Sequence, residues 1–248
     1  MARITVRDDS DSASVSGATL IEGLPGVGLV GKIATDHAIQ ALDMRYYASV
    51  HCDGLPRIGV YHSEEDEVKP PVRIYADVET DLLALQSDVP VSGSGAPQFA
   101  QCISGWLAEH DVTPIYLSGR PAERDGAPEL YGVSTGGGSE LLDEAGIVPP
   151  RESGFVSGPT GALLARAAET DLTGVGLIVE SDPKFPDPEA ARILLDSGIG
   201  PITGVDVDTS DLVERAEEIR EGREQLARRL QEVDDDERTE ARPLGMYQ

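Results

Sequence analysis

The chain has 248 residues, 40% of them hydrophobic, which is enough for the core of one large α/β domain or of two small ones. Acidic residues outnumber basic ones by 45 to 20, for a net charge of −25, and only three of the bases are lysines. This composition is typical of a protein in a very salty cytoplasm, where ions screen self-repulsion, and it argues against a nucleic-acid partner, which requires a basic surface.

Neither a membrane segment nor a metal site is expected. The N-terminus leads into a polar stretch, and no run approaches the roughly 18 apolar residues of a membrane span, so we expect a cytoplasmic protein. Cys52 and Cys102 are expected to be lone thiols, because two cysteines without C-x-x-C spacing give no metal site or disulfide framework. The four histidines are scattered. No catalytic residue, metal ligand or cofactor is predicted.

The first α/β unit gives the clearest pattern. Residues 18–21 form an apolar run that predicts a buried strand, and Glu22 is expected to end it. Glycines and a proline interrupt regular structure between Gly23 and Gly28. Apolar residues then recur at helical spacing from Leu29 to about Leu42. The segment is therefore predicted to be a strand, a glycine loop and a helix.

The glycine loop permits two functional interpretations and a structural one. It fits the dinucleotide pattern G-x-G-x-x-G and most of the phosphate-binding pattern G-x-x-x-x-G-K-[ST]. Ile33 stands where the second pattern needs a Mg²⁺-binding hydroxyl, and Asp53 is the nearest candidate for the acid of the first. The favoured interpretation is that the glycines permit a sharp turn and close packing of the helix. The anion-binding alternative assigns four residues: Gly26, Gly28, Gly31 and Lys32.

The remaining pattern predicts a three-layer α/β/α core domain with a mixed central sheet over residues 1–209. Further strands are predicted at about residues 3–6, 46–52, 58–61, 72–78, 82–85, 114–117 and 174–179. Further helices are predicted at about residues 98–109, 162–169 and 188–197, with one or two turns at 141–145. A Gly- and Pro-rich region is expected to connect the strand at 114–117 to about Gly138.

Three more loops have positions suited to a ligand, around Gly136, Gly158 and Lys184. A glycine loop approaches a ligand closely, a helix start accepts an anion, and open sheets bind ligands near the carboxyl ends of their strands. No reactive set of side chains accompanies these loops. We therefore favour the interpretation that they only connect secondary-structure elements.

The character of the chain changes from Ser210 onward. A helix is predicted over residues 210–233, because Ser210 or Asp211 can cap it and an apolar seam follows at steps of four and three. Residues 234–248 are expected to be a flexible acidic tether. The tether ends in Met246, Tyr247 and Gln248. A hydrophobic residue and a tyrosine at the tip of a polar segment are not needed by the hydrophobic core. The free terminal carboxylate is part of the same three-residue pattern.

Residues 21–32 (IEGLPGVGLVGK), with the later motifs GLP at 54–56 and DVPV at 88–91, resemble the proteasome assembly chaperone 2 family in its archaeal form. The similarity covers about residues 15–235. It implies a fold like that of nucleoside phosphorylases, no established enzymatic activity, and assembly into a homo-oligomer.

The resemblance also gives the C-terminus a role. Some archaeal members of the family end in a hydrophobic–tyrosine–any-residue tail that binds the proteasome α-ring, and Met246, Tyr247 and Gln248 match it position by position. By this likeness Met246 fills an apolar groove between α-subunits and Tyr247 stacks and hydrogen-bonds there. The terminal carboxylate of Gln248 pairs with an α-ring lysine, as in other cases of C-terminal capture.

We therefore expect a non-enzymatic chaperone or adaptor that engages the α-subunits of the 20S proteasome through its C-terminal tails. One tail binds weakly because a disordered segment must become ordered, so several tails on a homo-oligomer are required to act together. The alternative is an enzyme that binds a nucleotide or nucleoside with the loop from Gly26 to Lys32.

Overall fold

The computed structural model describes residues 3–7, 15–61, 66–122, 126–184, 186–212 and 214. They form a mixed eight-stranded sheet between two helical layers, which confirms the predicted α/β/α architecture. The strands are β1 (Arg3–Val6), β2 (Thr19–Gly23), β3 (Arg45–His51), β4 (Val72–Asp77), β5 (Leu82–Ser87), β6 (Thr113–Pro121), β7 (Leu130–Thr135) and β8 (Gly174–Ser181). The helices are α1 (Val30–Ala41), α2 (Ala96–Glu109), α3 (Ser139–Glu144), α4 (Gly158–Glu169), α5 (Pro188–Leu194) and α6 (Gly200–Thr203).

Two short helical turns complete these elements. A 3₁₀ turn at Val27–Leu29 precedes α1, and a π-helical turn at Leu195–Ile199 joins α5 to α6. Of the predicted C-terminal helix (210–233), only the first residues are described, and residues 210–212 are helical. The rest of that helix and the predicted tether (234–248), with Met246, Tyr247 and Gln248, lie outside the described residues.

The strand order is β1-β3-β4-β5-β2-β6-β8-β7. The four strands β5, β2, β6 and β8 run parallel, and the pairs β1–β3, β3–β4, β4–β5 and β7–β8 are antiparallel. Parallel neighbours require long crossover connections, which contain α2 between β5 and β6 and α4 before β8. The carboxyl ends of the four parallel strands therefore meet at one edge of the sheet, which we call the carboxyl edge.

Each face of the sheet carries its own core. Leu20 and Ile21 are adjacent in β2 and point to opposite faces, as the pleat of a strand requires. On the face of Leu20, the sheet packs against apolar residues of α2 and α4: Phe99, Ile103, Leu107, Leu163 and Ala167. On the face of Ile21, it packs against residues of α1 and α5: Val30, Ala34, Ala38, Ala191 and Leu194.

The described C-terminal residues belong to the layer of α1. Leu212 is buried in the core on that face. His37 in α1 donates from Nε2 to the carbonyl oxygen of Asp208 over 2.7 Å. The chain therefore enters its C-terminal segment on the α1 side of the sheet, opposite α2 and α4.

Two strand predictions were wrong. Strand β7 lies inside the stretch that we expected to be a Gly- and Pro-rich connection. A Cβ atom on its Gly132 would lie 2.6 Å from Leu142 and 2.9 Å from Ile147, so this glycine permits close packing of α3 rather than a loop. Residues 58–61 do not form a strand. They contribute a single isolated antiparallel bridge, between Val60 and Lys69.

The prediction of lone thiols was also wrong. Cys52, directly after β3, forms a disulfide with Cys102 in α2, with the two Cα atoms 6.1 Å apart. The backbones of Gly54 and Gly95 touch beside it, since a Cβ atom on Gly54 would lie 2.5 Å from the Cα of Gly95. Spacing along the chain could not reveal this contact, because the crossover of α2 over the sheet creates it.

Candidate functional site

Glu22 lies buried at the carboxyl edge of the sheet. Glu22 ends the apolar run but not the strand: β2 continues to Gly23, and Glu22 pairs with Leu85 of β5 on one side and Tyr116 of β6 on the other. Its exposed fraction is 0%. The carboxyl group is therefore removed from solvent although it lies near the end of its strand.

Three donors converge on the Glu22 carboxyl group. Oε1 accepts hydrogen bonds from the backbone N–H of Leu24 over 3.2 Å and from the hydroxyl of Thr160 over 3.0 Å. Oε2 accepts one from the N–H of Leu117 over 3.3 Å. Glu22 therefore joins the start of the glycine loop, strand β6 and the first turn of α4.

Burial raises the pKa of Glu22 to about 8, although the hydrogen bonds from Thr160, Leu117 and Leu24 act in the opposite direction. Removal from water outweighs the three donors because the charged form loses most of its hydration. At neutral pH the carboxyl group is thus mainly protonated. Burial and the charge of Glu22 also raise the pKa of the Tyr116 phenol.

The glycine loop packs tightly on the opposite side of β2. A Cβ atom on Gly23 would lie 2.5 Å from Thr35 of α1, and one on Gly31 would lie 3.1 Å from Leu117 of β6. Gly28 has a φ of +62° and would meet the hydroxyl of Ser181 at 1.8 Å. These contacts confirm the structural interpretation, in which the glycines permit the turn and bring α1 against the sheet.

The other residues of the predicted anion loop are arranged differently. Gly26 is extended, and a Cβ atom there would meet nothing within 4 Å. Lys32 forms an ion pair with Asp36 over 2.7 Å. Anion binding by Gly26, Gly28, Gly31 and Lys32 stays a prediction. Asp53 follows β3, which β4 and β5 separate from β2, so it does not lie beside the loop as a dinucleotide-binding acid does.

The ion pair of Lys32 continues into a buried polar chain. Gln86 donates to Asp36 over 2.9 Å and accepts from Arg73 over 2.6 Å. Arg73 is fully buried and forms an ion pair with Asp88 over 2.6 Å. Burial lowers the pKa of Arg73, but the contacts with Asp88 and Tyr75 outweigh it and the net direction is upward. The guanidinium is thus a charged structural centre of β4 and β5.

The structure brings two of the three other candidate loops to the carboxyl edge. Gly158 opens α4, whose Thr160 reaches Glu22, and Lys184 follows β8, where its backbone N–H donates to Asp182 over 2.8 Å. Gly136 follows β7 and lies at the opposite edge, since Thr135 pairs with the first residue of β8. Its backbone packs against that of Asp171.

Sequence reasoning missed a charged cluster at the same carboxyl edge. Arg120 of β6 lies beside Glu180 of β8 in the parallel ladder, and their side chains form an ion pair at 2.6 Å. Glu129 lies 3.4 Å from Arg151 and accepts from the Tyr131 hydroxyl. Strand register brings Arg120 and Glu180 together, and a chain with 45 acids gives no signal that singles out these residues.

A cavity of about 250 Å³ lies elsewhere, beside α6. Its lining combines apolar side chains such as Leu195, Pro201 and Val205 with two acids, Asp196 and Asp206. It contains none of the residues that the sequence singled out. Among the described residues, no three His, Cys, Asp or Glu side chains form a group suited to a metal ion, and none of the described helices is long and apolar enough to cross a membrane.

A model of the PAC2 family matches residues 20–227 of the chain, which include strands β3 to β8, the glycine loop and Glu22. The chain belongs to the PAC2 family. This confirms the resemblance on which the sequence interpretation depends. An uncharacterised protein of Methanocaldococcus jannaschii is 27% identical over 212 residues, which are 84% of this chain and 84% of that protein.

Solved structures share the fold over nearly the whole chain. PbaA of Pyrococcus furiosus, an archaeal homolog of proteasome-assembly chaperone, matches with a TM-score of 0.76 and 23% identity, over 96% of each chain. PbaB of Pyrococcus furiosus, an archaeal proteasome activator, matches with a TM-score of 0.73 and 25% identity, over 91% of this chain and 98% of that one. The PAC2 fold is therefore common to this chain and to proteins with a proteasome-related description.

Proposed function

We propose that this chain is a proteasome assembly chaperone or adaptor, which binds the α-subunits of the 20S proteasome through the C-terminal tails of a homo-oligomer. The observation that carries the proposal is the combination of the PAC2 fold with a chain that ends in Met246, Tyr247 and Gln248. The similarity to PbaB, an archaeal proteasome activator, supports it. We also propose a cytoplasmic location and no enzymatic activity.

The position of the folded body suits such a tail. Leu212 is anchored in the core on the α1 side, and residues 213–248 follow it. Residues 234–245 alone span at most about 40 Å when extended. The anchor fixes where each tail starts, and the length allows the tip to meet a slot on a second protein without movement of the sheet.

The chemistry of the tip suggests how it binds. Met246 is flexible and apolar and adapts to an irregular groove. Tyr247 combines a large apolar ring with a hydroxyl that forms a hydrogen bond at the end of a pocket. The terminal carboxylate of Gln248 accepts hydrogen bonds from a lysine or from backbone N–H groups. At high salt the ion pair contributes less, so the contacts of Tyr247 and Met246 become relatively more important.

Removal of Met246, Tyr247 and Gln248 is the direct test. We expect the truncated protein to lose capture of purified α-rings in molar salt and to keep the thermal unfolding temperature of the intact chain. Tyr247→Ala should weaken capture at least about tenfold, because a buried aromatic anchor typically contributes more than about 1.4 kcal/mol to an interface.

Two matched variants separate the side chains from the carboxylate. Gln248→Ala keeps the free carboxylate and should bind as the wild type does. One alanine added after Gln248 keeps all three side chains, moves the carboxylate by one residue, and should abolish capture. Undiminished capture by the truncated protein would refute the tail mechanism.

A further inference from the structure

The outward side of α2 is almost free of charge. Its exposed residues are Pro97, Gln98, Gln101, Gly105, Ala108 and, at the end of the helix, Glu109. The first seven residues of the neighbouring α4, Gly158–Leu164, carry no charge, and its Arg166 and Glu169 pair with each other over 3.2 Å. We call the outward surface of these two helices, with the segment 153–157 before α4, the α2–α4 face. One residue in four of the chain is charged, so a neutral face of this extent is unusual for it.

An aromatic side chain stands out on this face. Phe155 is 92% exposed, and its neighbours from Ser153 to Ser157 are uncharged. Because α2 and α4 both begin at the carboxyl edge, Phe155 lies at the same end of the layer as Pro97. A phenylalanine ring with so little contact with the described residues is typical of a contact surface for another molecule.

A glycine in the middle of α2 points to the same surface. Gly105 is exposed, and a Cβ atom there would meet nothing within 4 Å. A glycine inside a helix costs about 1 kcal/mol relative to alanine. No contact among the described residues accounts for it, unlike Gly23, Gly28 and Gly31. Close approach of another backbone is one role that only glycine permits at such a position.

We propose that the α2–α4 face is the contact between two copies of this chain. The charge of the chain favours a second copy as the partner at this face. Two molecules that each carry −25 repel over most of their surfaces, and a neutral face allows them to meet without burial of like charges. A basic partner would instead be attracted to the acidic remainder of the surface.

The described end of the chain lies on the other side of the sheet from this face. The chain leaves the core at Leu212 on the α1 side, so its own C-terminal segment begins on the face of the sheet opposite α2 and α4. This inference rests on the homo-oligomer in the proposed function and deepens it, because it places the subunit contact on the side of the sheet opposite Leu212.

Ala108→Glu tests the contact, with Ala41→Glu as its matched control. Both alanines are exposed and lie in the last turn of a helix, Ala108 in α2 and Ala41 in α1 on the opposite layer. We expect the wild type and Ala41→Glu to give the mass of at least two chains by light scattering in molar salt. Ala108→Glu should give the mass of a single chain, 26.3 kDa, with the same secondary-structure content by circular dichroism as Ala41→Glu.

Phe155→Ser provides an independent second variant, since its side chain makes no demand on the fold. It should raise the dissociation constant of the assembly on the order of tenfold. Assembly that persists at wild-type strength in both Ala108→Glu and Phe155→Ser, or a wild type that stays a single chain at every concentration, would overturn the inference.

The same samples separate this inference from the proposed function. Protein that lacks residues 246–248 should keep the wild-type mass, so its capture by α-rings reports on the tails alone. If the two face variants stay assembled and the truncated protein loses capture, the contact lies elsewhere and the tail mechanism survives. If the face variants dissociate and the truncated protein still binds, the contact is correct and the tail mechanism fails.

Discussion

The glycine loop and Glu22 are adjacent in the chain and both lie at the carboxyl edge, but they differ in how well the sequence predicts their roles. The glycine loop from Gly23 to Gly31 fits two ligand-binding patterns, yet its glycines serve mainly as contacts with Thr35, Ser181 and Leu117. Glu22 fits no pattern, yet it is a buried acid held by three donors. The comparison teaches that glycine spacing predicts backbone geometry more directly than it predicts a bound ligand. It also teaches that a charged residue type does not predict whether that residue is exposed or buried.

The largest effect that sharpens this comparison concerns Gly28. Gly28→Ala should lower the free energy of unfolding by about 2–4 kcal/mol, because alanine is strained at a φ of +62° and its Cβ would overlap the Ser181 hydroxyl. Gly26→Ala is the matched control in the same loop. It is extended and meets nothing within 4 Å, so the change should be less than about 1 kcal/mol. Urea unfolding of the two variants measures both.

A second substitution identifies the cause. Ser181→Ala removes the hydroxyl that the new Cβ would meet, so the double variant Gly28→Ala with Ser181→Ala should recover part of the lost stability. The strain of the positive φ remains. Equal losses in Gly26→Ala and Gly28→Ala would contradict the packing role, and absence of any recovery would assign the whole loss to the backbone.

The next effect concerns the pH dependence of stability. The folded state raises the pKa of Glu22 to about 8, so between its ordinary value of 4.5 and about 8 the folded protein holds a proton that the unfolded chain has released. Stability from this group is therefore fully present below pH 4.5 and is lost as the pH rises to 8, by about 1.4 kcal/mol per pH unit. Above pH 8 the contribution is constant.

Glu22→Gln removes this dependence. Between pH 5.5 and 7.5 the free energy of unfolding of the wild type should fall by about 2–3 kcal/mol more than that of the glutamine variant. All other titrating groups, including the three described histidines, are shared, so the difference between the two proteins isolates Glu22. Parallel pH profiles of the two proteins would mean that Glu22 is ionised in the folded state.

The sequence predicted what depends on local pattern. Apolar runs and helical spacing located β2, α1, α2 and α4. Burial of one face of a helix or strand makes its apolar residues recur with the period of that element. Strand β7 was missed because Gly132 reads as a loop signal, although it permits contact with Leu142. The disulfide of Cys52 and Cys102 and the ion pair of Arg120 and Glu180 depend on crossover and register. No local pattern encodes such contacts.

The candidate site was predictable to a smaller extent. The four residues of the glycine loop were identified from their spacing, but the partner of Lys32 was not, although an acid four residues later on a helix is a recognised pattern. The burial of Glu22 requires knowledge that β5 and β6 flank β2 on both sides. Strand order in a mixed sheet is a property of the whole chain, so sequence alone could not place this residue in the core.

The smallest effect decides between the structural interpretation of the glycine loop and binding of a nucleotide or phosphate. Lys32→Ala should lower the free energy of unfolding by only about 0.2–1 kcal/mol, because the ion pair with Asp36 is partly exposed and Asp36 keeps its hydrogen bond from Gln86. A ligand at 100 times its dissociation constant would add about 2.7 kcal/mol, which a thermal-shift assay resolves easily. We expect the melting temperature of the wild type to exceed that of Lys32→Ala by the same amount with and without ATP, ADP or phosphate. Stabilisation of the wild type that disappears in Lys32→Ala would instead favour the nucleotide-binding enzyme, because the lysine would then exchange Asp36 for a phosphate.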